Sequence, residues 1–190
     1  MNEIYLMSDT HFNHAGILGF MPKTRGIYDT VQDMNEDIIE KWNAAVTSKD
    51  IVWFLGDFAF SEKNSTMSNE AIFNALNGNK HLVIGNHDEK NKKILKLGWA
   101  SQTKLHSLRH SDGEQKIRFE LCHYPMETWK NAHNTYMHAH GHSHGNLKNI
   151  IARRFDVGFD SPVTCGYPMN VIDLWNIGMR QEYNPVDHHA

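Results

Sequence analysis

Five stretches of this 190-residue chain hold side chains able to ligate metal ions: Asp9-Thr10-His11, Gly56-Asp57, Gly85-Asn86-His87-Asp88, His123 and Gly141-His142-Ser143-His144. The chain has 14 histidines against 2 cysteines, and imidazole is the commonest metal-binding side chain near neutral pH. Alternate residues of an extended segment point the same way. Asp9 and His11 can therefore grip one ion together, and His142 and His144 can approach a site from one side. Mixed imidazole and carboxylate donors suit Mn²⁺, Fe or Zn²⁺ better than Ca²⁺. The donors are too many for one such ion and about right for two. Two divalent ions carry +4, and Asp9, Asp57 and a bridging hydroxide return −3, so the site keeps a formal charge of about +1. That favours binding a phosphate and stabilising an in-line displacement at phosphorus.

The elements that must position these residues are legible as apolar runs. Ile4-Tyr5-Leu6-Met7, Ile51-Val52-Trp53-Phe54-Leu55 and Leu82-Val83-Ile84 each run directly into one of the stretches. Between them, Thr30 to Val46 reads as an amphipathic helix, with Val31, Met34, Ile38, Trp42 and Ala45 in steps of three and four. Thr30 and Asp33 form a capping box at its start. Ser68 to Leu76, stopped by Asn77-Gly78, and Lys90 to Leu97 are read as two further helices. Continuous apolar strands alternating with helices predict a parallel sheet covered on both faces. The second half is mostly β. Ile117, Phe119 and Leu121 alternate with polar neighbours, and Tyr136 to His140, Arg154 to Val157 and Met169 to Leu174 are further expected strands. Trp175 to Tyr183 is expected to close the chain with a short helix, and polar Ser61 to Met67 to form a surface loop. In open α/β sheets, ligands bind outside the carboxyl ends of the strands, so the five stretches are expected to meet at one edge. Residues 1–190 are read as one domain.

A net charge of −3 gives no global field toward nucleic acid or an anionic membrane. Lys90, Lys92, Lys93 and Lys96 form a local basic cluster, read as the solvated face of a helix. Cys122 and Cys165 match no redox or metal spacing. Met1-Asn2-Glu3 leads straight into a strand-like run, unlike a signal peptide, and no segment has the apolar length of a membrane span. The expected location is the cytoplasm.

Taken in order, Asp9-x-His11, Gly56-Asp57, Gly85-Asn86-His87-Asp88, His123 and Gly141-His142-x-His144 resemble the calcineurin-like metallophosphoesterase superfamily. The resemblance implies an α/β fold, a four-layer α/β/β/α sandwich of two mixed sheets flanked by helices. It implies two divalent ions, one held by Asp9, His11 and His144 and the other by Asn86, His123 and His142, with Asp57 bridging both. A metal-bridging hydroxide would attack phosphorus. His87 would serve the leaving group, with Asp88 orienting its ring. The run Gly56-Asp57-Phe58-Ala59-Phe60 is apolar where many members carry a polar or acidic residue, so protein Ser/Thr phosphatases are a poor analogy. Asp9-Thr10-His11-Phe12-x-His14, Trp42-Asn43 and Leu55-Gly56-Asp57-Phe58-Ala59 look more like small bacterial and phage phosphoesterases.

The expected activity is hydrolysis of a phosphomonoester or phosphodiester in a small phosphorylated molecule such as a nucleotide, with Mn²⁺ the first choice of metal and Fe or Zn²⁺ the alternatives. A catalytically silent metal-binding scaffold and a nuclease are the competing readings. Three residues are added as candidate substrate contacts. Arg25 lies in the loop after the first strand, where a guanidinium could clamp a phosphate, although a solvated arginine is the plainer reading. His14 could reach the substrate, and Tyr124 could line the pocket. His138 and His140 are read as strand residues beneath the site, and His188 and His189 as incidental.

Overall fold

The computed structural model describes residues 2–184 apart from 63, 64, 66 and 112. His188 and His189 lie outside the described residues, as do three positions of the expected Ser61–Met67 loop.

Two mixed sheets carry the fold. The first comprises β1 (Ile4–Met7), β2 (Ile51–Phe54), β3 (Asn79–Val83), β4 (Gln102–Thr103) and β9 (Met169–Asn170) in the order β4-β3-β2-β1-β9. β1 to β4 are parallel, and β9 runs antiparallel to β1. The second sheet, in the order β5-β6-β7-β8, comprises β5 (Leu105–Ser111), β6 (Lys116–Cys122), β7 (Met137–His140) and β8 (Arg154–Asp156). Its first pair is antiparallel and the others parallel.

The continuous apolar runs have two masters. Met7, Val52, Phe54 and Leu82 face one core with Met34, Ile38 and Trp42 of α2 (Val31–Ala45) and Ile72 and Phe73 of α3 (Asn69–Ala75). Leu6, Trp53, Leu55 and Val83 face a second core between the sheets, against Ile117, Phe119, Leu121, Met137 and Phe155. A strand that is buried on both sides has no wet face to alternate with. α4 (Val171–Met179) adds Leu174 and Trp175 to the second core. Residues 123–136 contain a 3₁₀ turn at Ala132–Asn134, bury Trp129 and Tyr136, and meet the second sheet where the Trp129 ring lies 5.6 Å from that of His138. A short helix, α1 (Ile17–Phe20), follows the first catalytic-type stretch. No helix among the described residues is long and apolar enough to cross a membrane.

Register brings the strand ends together. Met7 pairs with Phe54 and Phe54 with Leu82, so β1, β2 and β3 stop almost level. The sheets are then stitched at that edge. Ser8 N–H donates to Val157 O at 3.0 Å, and Phe159 N–H donates to Ser8 O at 2.9 Å.

Three expected elements differ, and one is the closing helix expected over Trp175–Tyr183, which spans Val171–Met179. The Lys90–Leu97 helix is only a 3₁₀ turn at Ile94–Lys96. The Asn91 side chain accepts the Lys93 N–H at 3.2 Å, a local bond that competes with helix. The strand expected over Met169–Leu174 ends at Asn170, whose side chain accepts the Ile172 N–H at 2.8 Å and caps α4. A strong N-cap decides the backbone there over the β-branched Val171 and Ile172. β5 was not foreseen because only Leu105 and Leu108 are apolar in it.

The capping box at α2 is formed as its sequence implies. Thr30 accepts the Asp33 N–H at 3.1 Å, and Asp33 accepts the Thr30 N–H at 2.9 Å. Thr30→Ala is therefore expected to lower stability by about 1 kcal/mol in chemical denaturation. An unchanged midpoint would mean that tertiary packing alone fixes the helix start.

Candidate metal centre

The candidate donors reach one cleft through a strained backbone. Asp9, His11, Asp57, His142 and His144 all have positive φ, between 47° and 67°. Left-handed conformations are uncommon for residues with a Cβ and cost about 1–2 kcal/mol each. The extended geometry expected for Asp9-x-His11 is therefore replaced by tight left-handed turns that aim both side chains into the cleft. Glycine allows those turns to crowd. A Cβ on Gly56, at φ +98°, would lie 2.6 Å from His123 Nδ1 and 2.7 Å from the Gly85 backbone. One on Gly141 would overlap Ser8 Oγ and Asp9 Oδ2.

The donors form two groups. Asp9, His11 and His144 make the first, and Asp57, His123 and His142 the second. In the first, His11 Nε2 lies 3.7 Å and His144 Nε2 3.9 Å from Asp9 Oδ1. Asp9 Oδ1 and His11 Nε2 are buried and have no hydrogen-bond partner. The spacing is too long for a hydrogen bond and suits two donors flanking one ion with bonds of about 2.1 Å. In the second group, Asn86 Oδ1 sits 3.0 Å from both His123 Nε2 and His142 Nδ1. Asp57 Oδ2 is 3.4 Å from His123 Nε2 and 3.9 Å from His11 Nε2, so it stands between the groups. The other Asp57 oxygen, Oδ1, accepts the His87 N–H at 2.9 Å.

The protonation pattern sets buried carboxylates against imidazoles. Burial pushes the Asp9 carboxyl up, but the imidazoles of His11, His144 and His123 outweigh it and bring it to about 2. Burial pushes His123 down, yet Asp57 and Asp9 outweigh it and hold it at about 9. His11 and His142 are pushed below the ordinary histidine value, in each case first by burial. Protons on some imidazoles thus offset the buried carboxylates, and a divalent ion would take over that task.

Supporting groups fix the donors. His123 Nδ1 lies 2.7 Å from Leu55 O, which leaves Nε2 to the cleft. His144 Nδ1 lies 2.7 Å from Asp160 Oδ2, the carboxylate–imidazole pairing typical behind metal ligands. Burial raises the Asp160 carboxyl, but hydrogen bonds from His144 and Arg25 outweigh it and hold it well below the usual range. Asp9 Oδ2 accepts the His142 N–H at 2.8 Å and ties the first stretch to the last.

Two sequence-derived roles need correction. Arg25 is fully buried and does not line the cleft. Its guanidinium donates to Asp160 at 2.8–3.2 Å, to Asp9 O at 2.6 Å and to Thr10 O at 2.7 Å. It is a positioning residue that clamps the first stretch to the carboxylate behind His144. Asp88 is also fully buried. Its oxygens accept the N–H groups of Asp57, Phe58 and Gly85 at 2.8, 3.1 and 2.9 Å, so it locks two loops together instead of orienting the His87 ring.

The remaining candidates lie around the rim. The His87 side chain is 42% exposed, with Nε2 3.9 Å from Asp57 Oδ2. His14 stacks on Phe60 at 3.8 Å, and burial with His11 and His87 nearby pushes it down to about 4. Tyr124 is exposed beside His142, their ring centres 4.8 Å apart. His138 and His140 are buried strand residues, and His138 Nδ1 is 2.8 Å from Glu120 O.

With this geometry in place, comparison with known proteins decides the family. The model of the calcineurin-like phosphoesterases matches residues 3–174, a span that contains every candidate donor. The chain belongs to that family. Family membership and the two donor groups together mark a metal-dependent phosphoesterase. Its relatives in the family include an uncharacterized protein of Methanocaldococcus jannaschii, 33% identical over 77% of this chain and 72% of that one. Another is the gene 66 protein of Mycobacterium phage D29, 23% identical over 85% and 89% of the two chains. The fold is also that of a protein of unknown function from Aquifex aeolicus, with a TM-score of 0.70, 24% identity and coverage of 92% and 98%.

Sequence reading missed Asp160 and Asn13. Asp160 follows Gly158-Phe159 after β8, and its partner Arg25 is 135 residues away. Asn13 Nδ2 donates to Asn69 Oδ1 at 2.8 Å, and Asn35 Nδ2 donates to Asn13 Oδ1 at 2.7 Å, tying the loop after His11 to α2 and α3. The only local signal was an unexplained polar residue, Asn35, on the apolar face of α2.

Arg25→Met leaves Asp160 buried without its counter-charge and is expected to cost about 3–5 kcal/mol in urea unfolding at pH 7. A loss below about 1 kcal/mol would show that the pair is not structural. Metal affinity should depend on pH in a defined direction. His123 must lose the proton it holds up to about 9, so the apparent Mn²⁺ association constant should rise about tenfold per pH unit from pH 6 to 8. Titration calorimetry checks this, and a flat profile would contradict the protonation scheme.

Proposed function

We propose that the chain is a dinuclear phosphoester hydrolase acting on a small phosphorylated molecule, with a nucleotide as the leading class. The observation that carries the reading is the place of Asp57 Oδ2, 3.4 Å from His123 Nε2 and 3.9 Å from His11 Nε2, from which one carboxylate could serve both donor groups. Asp9, His11 and His144 would hold one ion, and Asn86, His123 and His142 the other. The oxygen and imidazole donors suit Mn²⁺ first, then Fe or Zn²⁺.

When bound, the two cations supply charge stabilisation to the phosphoryl group and acidity to water. The residues of the chain do the rest. The buried carboxylates are held by backbone and imidazole partners, so the cleft needs little reorganisation as charge develops. His87 stands exposed beside Asp57, free of the donor sets. Its Nε2 would give a proton to the departing oxygen as the phosphorus–oxygen bond to the leaving group breaks and the bond from a water oxygen forms, that water losing one proton to solvent, from which His87 is reprotonated. Asp88 and Arg25 act through the loops they pin. Tyr124 beside His142 and His14 beside His11 would meet the substrate.

The test is hydrolysis of p-nitrophenyl phosphate and its bis ester with Mn²⁺. Chelation should abolish turnover and Mn²⁺ restore it, and Asp57→Ala should be inactive. His87→Ala should lower kcat about 10²–10⁴-fold while keeping two metal ions per chain by elemental analysis. The reading is lost if metal-loaded protein hydrolyses no phosphoester in a broad panel, or binds a single ion.

A further inference from the structure

The basic cluster read from sequence as a solvated helix face has a different setting. Because Lys90–Leu97 does not form a helix, Lys90, Lys92 and Lys93 instead wall a cleft of about 800 Å³ that begins at His87 and Phe60. The wall hangs from fixed backbone. Glu89 N–H donates to Gly85 O at 3.1 Å and Asn91 N–H to Asp88 O at 2.9 Å, and Asp88 is itself locked to the Asp57 loop. The backbone that carries the lysines is thereby tied to the Asp57 loop, while their side chains stay exposed.

Their charge is mostly uncompensated. Among the described residues only Lys93 has an acidic partner, Glu62, at 3.4 Å, and Glu62 is the one acidic residue lining the cleft. Three lysines against one glutamate give a positive channel on a chain whose net charge is −3. Such a wall focuses anions toward the cleft. The volume matches a nucleotide-sized ligand. At its inner end, the Phe60 ring lies 4.6 Å from the His87 ring, so aromatic surface meets the lysine wall where the leaving group would emerge.

We propose that this cleft is a leaving-group subsite for a second phosphate, and that the substrate is a bisphosphorylated small molecule of nucleotide size. One phosphate sits at the donor groups, the leaving oxygen at His87, and the second phosphate against Lys90, Lys92 and Lys93. This rests on the hydrolase reading above.

The experiment compares a nucleoside 3′,5′-bisphosphate with the matching 3′- and 5′-monophosphates, using Mn²⁺-loaded wild type and a Lys90→Gln, Lys92→Gln, Lys93→Gln variant. Wild type should favour the bisphosphate in kcat/KM by at least about tenfold. The variant should lose that preference, mainly through KM, and about 1 M salt should erode it in wild type. Equal kcat/KM for bis- and monophosphates, or a preference that survives the triple change, would overturn the subsite. If no substrate turns over, the hydrolase reading falls separately. Calorimetric binding of the same nucleotides to both metal-loaded chains then decides the lysine site: tighter bisphosphate binding in wild type alone supports it, and equal binding ends it.

Discussion

Two carboxylates, Asp9 and Asp57, are buried side by side where the two sheets meet. Isolated ionised carboxylates in such a place are costly, and much of the surrounding structure serves to offset them. Backbone N–H groups of His87 and His142 take one oxygen of each. The other oxygens face imidazoles at distances that suit coordination better than hydrogen bonding. The centre is thus built around a demand for positive charge, met by protons on histidines or by divalent ions.

Holding that arrangement requires backbone that ordinary residues avoid. Five candidate donors are left-handed, and glycines let the loops touch. The strain persists because buried clamps over-determine each loop. Asp88 joins the Gly56-Asp57 and Gly85-Asn86 turns, and Arg25 joins the first stretch to Asp160 behind His144. The Asn13–Asn35–Asn69 network anchors the loop after His11 to the helices. The geometry of the centre belongs to these partners as much as to the donors.

The surroundings of the donor groups are chemically unequal. Tyr124 packs against His142 and leaves aromatic surface exposed. The cleft lined by His87 and Phe60 carries Lys90, Lys92 and Lys93. On the proposed reading, a phosphoryl site with a cationic extension on one side would distinguish substrates by what they carry beyond the reacting phosphorus.

The sequence by itself determined the α/β class, the α2 helix and its cap, and the meeting of Asp9, Asp57, Asn86 and His87 at one edge. Parallel strands buried on both faces are apolar throughout, and the residues beyond their carboxyl ends form the ligand-binding edge of an open α/β sheet, so the polar residues after each run share a rim. Only tertiary structure decided the roles of Arg25, Asp88 and Asp160. A charged side chain has the same local pattern whether solvated or clamped, and the partner of Arg25 lies 135 residues away. Long-range packing likewise put Asp9 and His11 in left-handed turns, and local bonds at Asn91 and Asn170 redrew the Lys90–Leu97 and Met169–Leu174 segments. The lysines show the same division. Their composition was plain from the chain, but their place beside His87 and Phe60 along one cleft is set only by the tertiary structure.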